Sequence, residues 1–116
     1  MGSVFRGIPP LLPLKISQLI NFMHYLFAQI KITDREEYAK YEAGFMDIFL
    51  SYKGKILSVD ENLDLLEGTW DYTRTVLVEF PSKEDAMDWY KSVEYQKLAQ
   101  HRLASSAGNV ITISGS

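Results

Sequence analysis

Cysteine is missing from all 116 residues. That excludes a disulfide framework, thiolate metal ligands and a cysteine nucleophile. The absence is compatible with the cytoplasm, which is the expected location. Histidine is nearly missing too: His24 and His101 stand far apart. One chain alone cannot assemble a His-rich metal site, and further ligands would have to come from carboxylates or a second chain. No basic block occurs and the net charge is −3, so the electrostatic footprint of a nucleic-acid binder is absent. No apolar run spans a membrane; the stretch around Leu11–Leu14 is short and interrupted by Pro13 and Lys15. There is no glycine-rich loop ahead of a helix, no Gly-x-Ser-x-Gly elbow and no His-Glu-x-x-His. Nucleotide-binding and nucleophile motifs are therefore missing, and neither a cofactor nor a metal is expected.

What is present fits one ordinary globular domain: 47% of residues are hydrophobic and 23% charged. Residues 1–22 stand apart. Pro9, Pro10 and Pro13, three of the four prolines, fall within five positions and break any early helix. No clear signal peptide is visible, and Arg6 occupies the place where a myristoylation signal after Gly2 needs Ser or Thr. Leu14, Leu19 and Ile20 could form a short amphipathic turn. The segment reads as an extension outside a domain at 23–116, with an arm docking on a partner subunit as the alternative. Met23 could be a natural start.

From His24 the pattern becomes regular. "HYLFAQIKI" alternates, with Leu26, Ala28, Ile30 and Ile32 on one face and Tyr25, Phe27, Gln29 and Lys31 on the other, which predicts a strand. Thr33 and Glu36 have capping-box spacing. Tyr38, Tyr41, Phe45, Ile48, Phe49 and Tyr52 then recur at helical steps, and Gly54 supplies a stop, predicting a helix over about 34–53. "KILSVD" and "LDLLEG" read as two short extended pieces, and "RTVLVEF" as a clear strand ended by Pro81. Ser82 and Ser92 are candidate helix caps, so the second helical region breaks and restarts. Tyr95, Leu98, Ala99 and Leu103 continue its apolar stripe. Gly108 and Asn109 are expected to turn the chain into a last strand, "VITI".

Strand, helix, strand pair, strand, helix, strand is the split βαβ order of an α+β, ferredoxin-like βαββαβ domain with an antiparallel sheet. Both helical regions then cover one sheet face. The other face carries Tyr25, Phe27 and Leu77, which is too apolar for open water. Two such faces are expected to pack together in a homodimer.

Several pieces resemble the small bacterial family catalogued as domain of unknown function 1330. They are "YLFAQIKITDREEYAKYEAG", the Gly54–Lys55 turn and "LEGTWDYTRTVLVEFPSKEDAMDWYKSVEYQKL". Within them Glu67-Gly68-x-Trp70, Arg74, Glu79-Phe80-Pro81-Ser82 and Trp89-Tyr90-x-Ser92-x-Glu94-Tyr95 are the most specific. The resemblance covers about residues 24–114. Val93 departs from it, since the family commonly has Pro after that Ser. The family implies a dimeric α+β barrel of ferredoxin-like halves and brings no established activity. Its wider superfamily includes oxygenases, isomerases, peroxidases, dehydratases and plain binding modules, so fold analogy spreads the functional reading.

The candidate site residues follow. Arg74 opens a strand, where its guanidinium can fork onto a carboxylate. The carboxylate is either a ligand's, at the mouth of a pocket, or an internal one, with Glu67 and Glu79 as the candidates. Trp70 is expected close to Arg74, stacked on the guanidinium. The tyrosines of the first helix fill core by default, and the resemblance places a Tyr at position 41, making Tyr41 the candidate pocket hydroxyl. Trp89 and Tyr90 are about 100° apart on a helix, so one can face the core and the other a cleft edge. Tyr95 and Arg102, seven apart, can line that cleft together, with a solvated Arg102 as the alternative. His101 reads as a surface residue, and a haem-ligand role for His24 has little support. Tyr41, Arg74 and Glu79 are the catalytic candidates, and Glu79 faces either the pocket or the dimer barrel. Three functions compete: a cofactor-independent enzyme acting on a small acidic or aromatic molecule, a non-catalytic ligand-binding dimer, and a structural dimer without a pocket.

Overall fold

A computed structural model gives the arrangement of residues 23–116. The reading of 1–22 as an extension or docking arm lies outside the described residues. Strand β1 (His24–Ile32) leads into helix α1 (Arg35–Phe49), then β2 (Lys55–Asp60) and β3 (Arg74–Phe80). Helices α2 (Lys83–Tyr90) and α3 (Val93–Ser105) follow, and β4 (Ser106–Ser114) closes the fold. The four strands form one antiparallel sheet in the order β2-β3-β1-β4.

Alternation in β1 sets the two sheet faces. Leu26, Ala28 and Ile30 are buried against the helices, while Tyr25, Phe27 and Gln29 are half-buried on the open side. Pairing carries this across the sheet. Phe27 lies between Leu77 and Ile111, and Tyr25 between Glu79 and Ile113. The open face is thus a band of large apolar side chains, with Ile111 and Ile113 each half exposed.

The core lies between the inner face and the helices. Trp89 is its centre. Its ring stacks on Phe80 at 5.8 Å, meets Phe49 edge-on at 5.7 Å and lies 4.1 Å from Tyr95. Each large side chain fully buried there contributes roughly 1.5–3 kcal/mol by leaving water.

The structure changes several local expectations. Asp34, not Thr33, caps α1, accepting from the Glu36 and Glu37 backbone N–H groups. Thr33 is instead engaged across the fold, its hydroxyl donating to the Ser105 carbonyl at 3.0 Å. Helix α1 ends at Phe49, four residues before the expected position. Gly54 matters for space: a Cβ there would come within 2.7 Å of the Phe49 and Phe80 rings. "LDLLEG" is no strand; it lies in the long β2–β3 loop with Leu66 91% exposed. Ser82 and Ser92 do cap α2 and α3, accepting from the backbone N–H groups of Asp85 and Tyr95. Gly108 and Asn109 make no turn. They sit inside β4, and Gly108 pairs with Ile30 so closely that any Cβ would strike the Gln29 carbonyl.

Candidate functional site

Three tyrosines begin the site. Tyr38 and Tyr41 are one helical step apart on the inward face of α1 and are buried. Tyr95 is held in the first turn of α3 by the Ser92 cap. The two helices bring the Tyr41 and Tyr95 hydroxyls to 2.7 Å, buried from solvent. Burial, and then the neighbouring Tyr95 oxygen, push the Tyr41 phenol far above its ordinary value. Tyr41 therefore stays a neutral phenol at physiological pH, and either hydroxyl of the pair can be the donor.

Arg102 lies two turns along α3 from Tyr95. It is 9% exposed, and its guanidinium sits over the Tyr41 ring, 5.8 Å from the centroid. Burial works against its charge, but the Tyr95 and Tyr41 oxygens outweigh it, and the pKa is raised.

Between α1, α3 and the inner sheet face these side chains border a cavity of about 280 Å³. Its walls are largely apolar: Leu26, Ala28, Phe45, Val76, Val78 and Trp89 are among them. Tyr41, Tyr95 and Arg102 supply polar groups inside, and Arg74 and Glu42 stand in the wall as well.

Arg74 differs from Arg102. Its guanidinium binds Glu42 at 2.8 Å and Glu61 at 2.6 Å, and lies 5.1 Å over the Tyr38 ring. Arg35 grips the same Glu61 at 2.7 Å. Arg35, and after it Arg74, hold the Glu61 carboxyl at about 2, against the pull of partial desolvation. Two arginines and two glutamates thus close a balanced cluster at the start of the β2–β3 loop.

The structure brings five of the eight candidate residues together: Tyr41, Arg74, Trp89, Tyr95 and Arg102 all border the cavity. It places three elsewhere. Glu79 is on the open sheet face, where the Tyr25 hydroxyl donates to it at 3.2 Å. Glu67 is exposed in the β2–β3 loop. Trp70 packs edge-on against Tyr72 at 5.3 Å, while Tyr72 accepts from Asn109 on the open face. Trp70 does not cover Arg74; Tyr38 does. The sequence reading also missed both carboxylate partners of Arg74. Arg35 and Glu42 are seven apart on α1, one signal that could have flagged a shared helical face, whereas nothing local marks Glu61. His101 lies at the surface, its side chain 40% exposed, with its Nδ1 2.6 Å from the Glu37 carboxylate. Among the described residues no cluster of three His, Asp or Glu side chains could hold a metal, and no helix is long and apolar enough to cross a membrane.

A family model described as domain of unknown function 1330 matches residues 23–116. The chain belongs to that family. No curated protein matches this DUF1330 chain. Solved structures share its fold at low identity. A protein of unknown function from Rhodopseudomonas palustris is 16% identical, with 88% of this chain and 92% of that one covered, at a TM-score of 0.71. SnoaB from Streptomyces nogalater, described as a cofactor-independent oxygenase, is 10% identical, with 81% and 93% covered, at 0.60. A dimeric ferredoxin-like protein of unknown function from Jannaschia sp. CCS1 is 13% identical, with 81% and 98% covered, at 0.57. The DUF1330 chain is thus a ferredoxin-like α+β protein.

Proposed function

We propose that this DUF1330 chain is a homodimeric small-molecule protein that holds one compact, largely apolar ligand in the cavity of each subunit. The observation that carries the reading is the cavity itself. It has apolar walls and a few convergent polar groups, the usual constitution of a ligand site.

The dimer rests on the open sheet face. The band Leu77–Phe27–Ile111 with Tyr25 and Ile113 gives an apolar surface suited to a second copy. A solved relative in fold is described as dimeric, which supports self-association. The expected setting is cytoplasmic.

Chemistry at the cavity is limited to hydrogen-bond donation and charge stabilisation. Tyr41 is held neutral, and Glu42 is engaged by Arg74. Donors aimed at one point in a dry site stabilise negative charge that develops on a bound oxygen. This favours a second reading, a cofactor-independent enzyme, in line with the description of SnoaB.

The test is a titration of the full chain with a panel of small aromatic compounds, followed by protein NMR. Ala28→Phe fills the cavity from β1 and leaves the open face untouched. Binding by the wild type and its loss in Ala28→Phe are expected. Equal binding by both would place the ligand elsewhere, and no binding by either would remove the pocket reading. Turnover of a bound compound separates the enzyme from the binder.

A further inference from the structure

Charge bookkeeping separates the two arginines of the cavity wall. Arg74 and Arg35 face Glu42 and Glu61, so that cluster is neutral and Arg74 has its carboxylates. Arg102 makes no ion pair with a carboxylate of the described residues; the groups that favour its charge are the oxygens of Tyr95, Tyr41 and Tyr90. These oxygens offset the burial of the guanidinium but carry no formal negative charge, so the charge of Arg102 stays without a counter-ion among the described residues. A ligand anion would supply one.

Proton bookkeeping points the same way. The Tyr41 and Tyr95 hydroxyls carry one proton each and meet at 2.7 Å. One donates to the other, and the second proton has no acceptor among the described residues. That spare O–H and the Arg102 guanidinium border the same cavity. Beyond them the wall is aromatic and aliphatic, with Phe45 and Trp89. Near the Arg74 side stands Glu42, whose carboxylate repels a second negative charge.

We propose that the cavity takes a monoanionic acid with a planar apolar body, its anionic oxygen seated on Arg102 and the Tyr41–Tyr95 hydroxyl pair rather than on Arg74. This rests on the pocket reading above and adds the ligand's charge, orientation and chemical class. Arg74 is then a positioning residue that holds the β2–β3 loop and Tyr38.

The experiment compares trans-cinnamate with the neutral cinnamamide by calorimetric titration of the full-length protein. The expected result is at least about tenfold tighter binding of cinnamate, the scale of a charge-assisted hydrogen bond. Arg102→Met should abolish the preference while still binding cinnamamide. Arg102→Lys should keep part of it, and Arg74→Gln should keep most of it. Phthalate, a dianion of similar class, should bind less tightly than cinnamate. Circular dichroism confirms that each variant is folded. If Arg102→Met does not fold, the Arg102→Lys and Arg74→Gln pair decides. Equal binding of cinnamate and cinnamamide to the wild type would overturn the anion seat and leave the pocket reading standing. Loss of the preference in Arg74→Gln with retention in Arg102→Lys would move the seat to Arg74. No binding of either compound, with a neutral compound of the aromatic panel still lost on Ala28→Phe, would overturn the acid class and leave the pocket reading standing.

Discussion

At the scale of single residues, the site depends on a few groups whose partners were settled by the fold. Tyr41→Phe removes one hydroxyl and leaves that of Tyr95 without its buried partner. A loss of about 1–2 kcal/mol in unfolding free energy is expected by denaturant titration, with the dimer retained. Trp89→Ala is far more severe, because its ring touches those of Phe49, Phe80 and Tyr95. About 3–5 kcal/mol is expected from the same measurement. Tyr95 and Arg102 were legible as a pair seven apart on one helical face, with a solvated Arg102 as the alternative, and Tyr41 was singled out by the family resemblance. The sequence could not show which carboxylate Arg74 meets. Glu67 and Glu79 are nearer along the chain than Glu42, but a strand sends Glu79 to the opposite face from Val78 and Phe80. Arg74 reaches Glu42 through the packing of α1 on the sheet, a contact across 32 positions.

At the scale of elements, caps and register do the positioning. Ser92 starts α3 and so fixes where Tyr95 and Arg102 enter the cavity. Ser92→Ala should cost about 1 kcal/mol and weaken binding of an aromatic ligand, read by denaturation and titration in parallel. The Glu61 cluster ties α1 to the β2–β3 loop, and its pH response has a definite sign. Glu61 is depressed to about 2 from an unfolded value near 4.5. Its contribution is therefore present above pH 4.5 and lost as pH falls towards 2. Glu61→Gln should show a shallower loss of stability over that window than the wild type, measured by urea unfolding at stepped pH. Strands β1 and β3 and the break between α2 and α3 were legible because alternation, Pro81 and two serine caps agree with the fold. "LDLLEG" misled because a short apolar run carries no information about a partner strand. Its leucines are exposed, and Gly68 has φ of 88° in an irregular loop. Gly108 misled for the opposite reason. It looked like a turn, but the β1–β4 pairing requires a residue without a Cβ at that point.

At the scale of the whole molecule, one sheet divides two tasks. The inner face and helices make the cavity; the open face is the proposed subunit contact. The apolar residues of β1 and β3 on both faces are what raised the expectation of a second copy on the open face. Phe27→Lys places a charge in the centre of the open band, between Leu77 and Ile111. The variant is expected to fall from dimer to monomer mass in sedimentation, with its secondary structure kept. Persistence of a dimer would show that the subunits meet elsewhere. The cavity was legible only as a stripe of aromatic residues. It lies between α1, α3 and the inner sheet face, an arrangement across elements that local spacing does not encode.

The central claim is a dimer with a small ligand in each cavity. Native mass spectrometry of the full chain purified from its own host tests it most directly, with Ala28→Phe prepared in the same way. A dimer carrying a reproducible small-mass adduct that is absent from the cavity-filled variant is expected. A bare monomer, or an adduct that persists in Ala28→Phe, would contradict it.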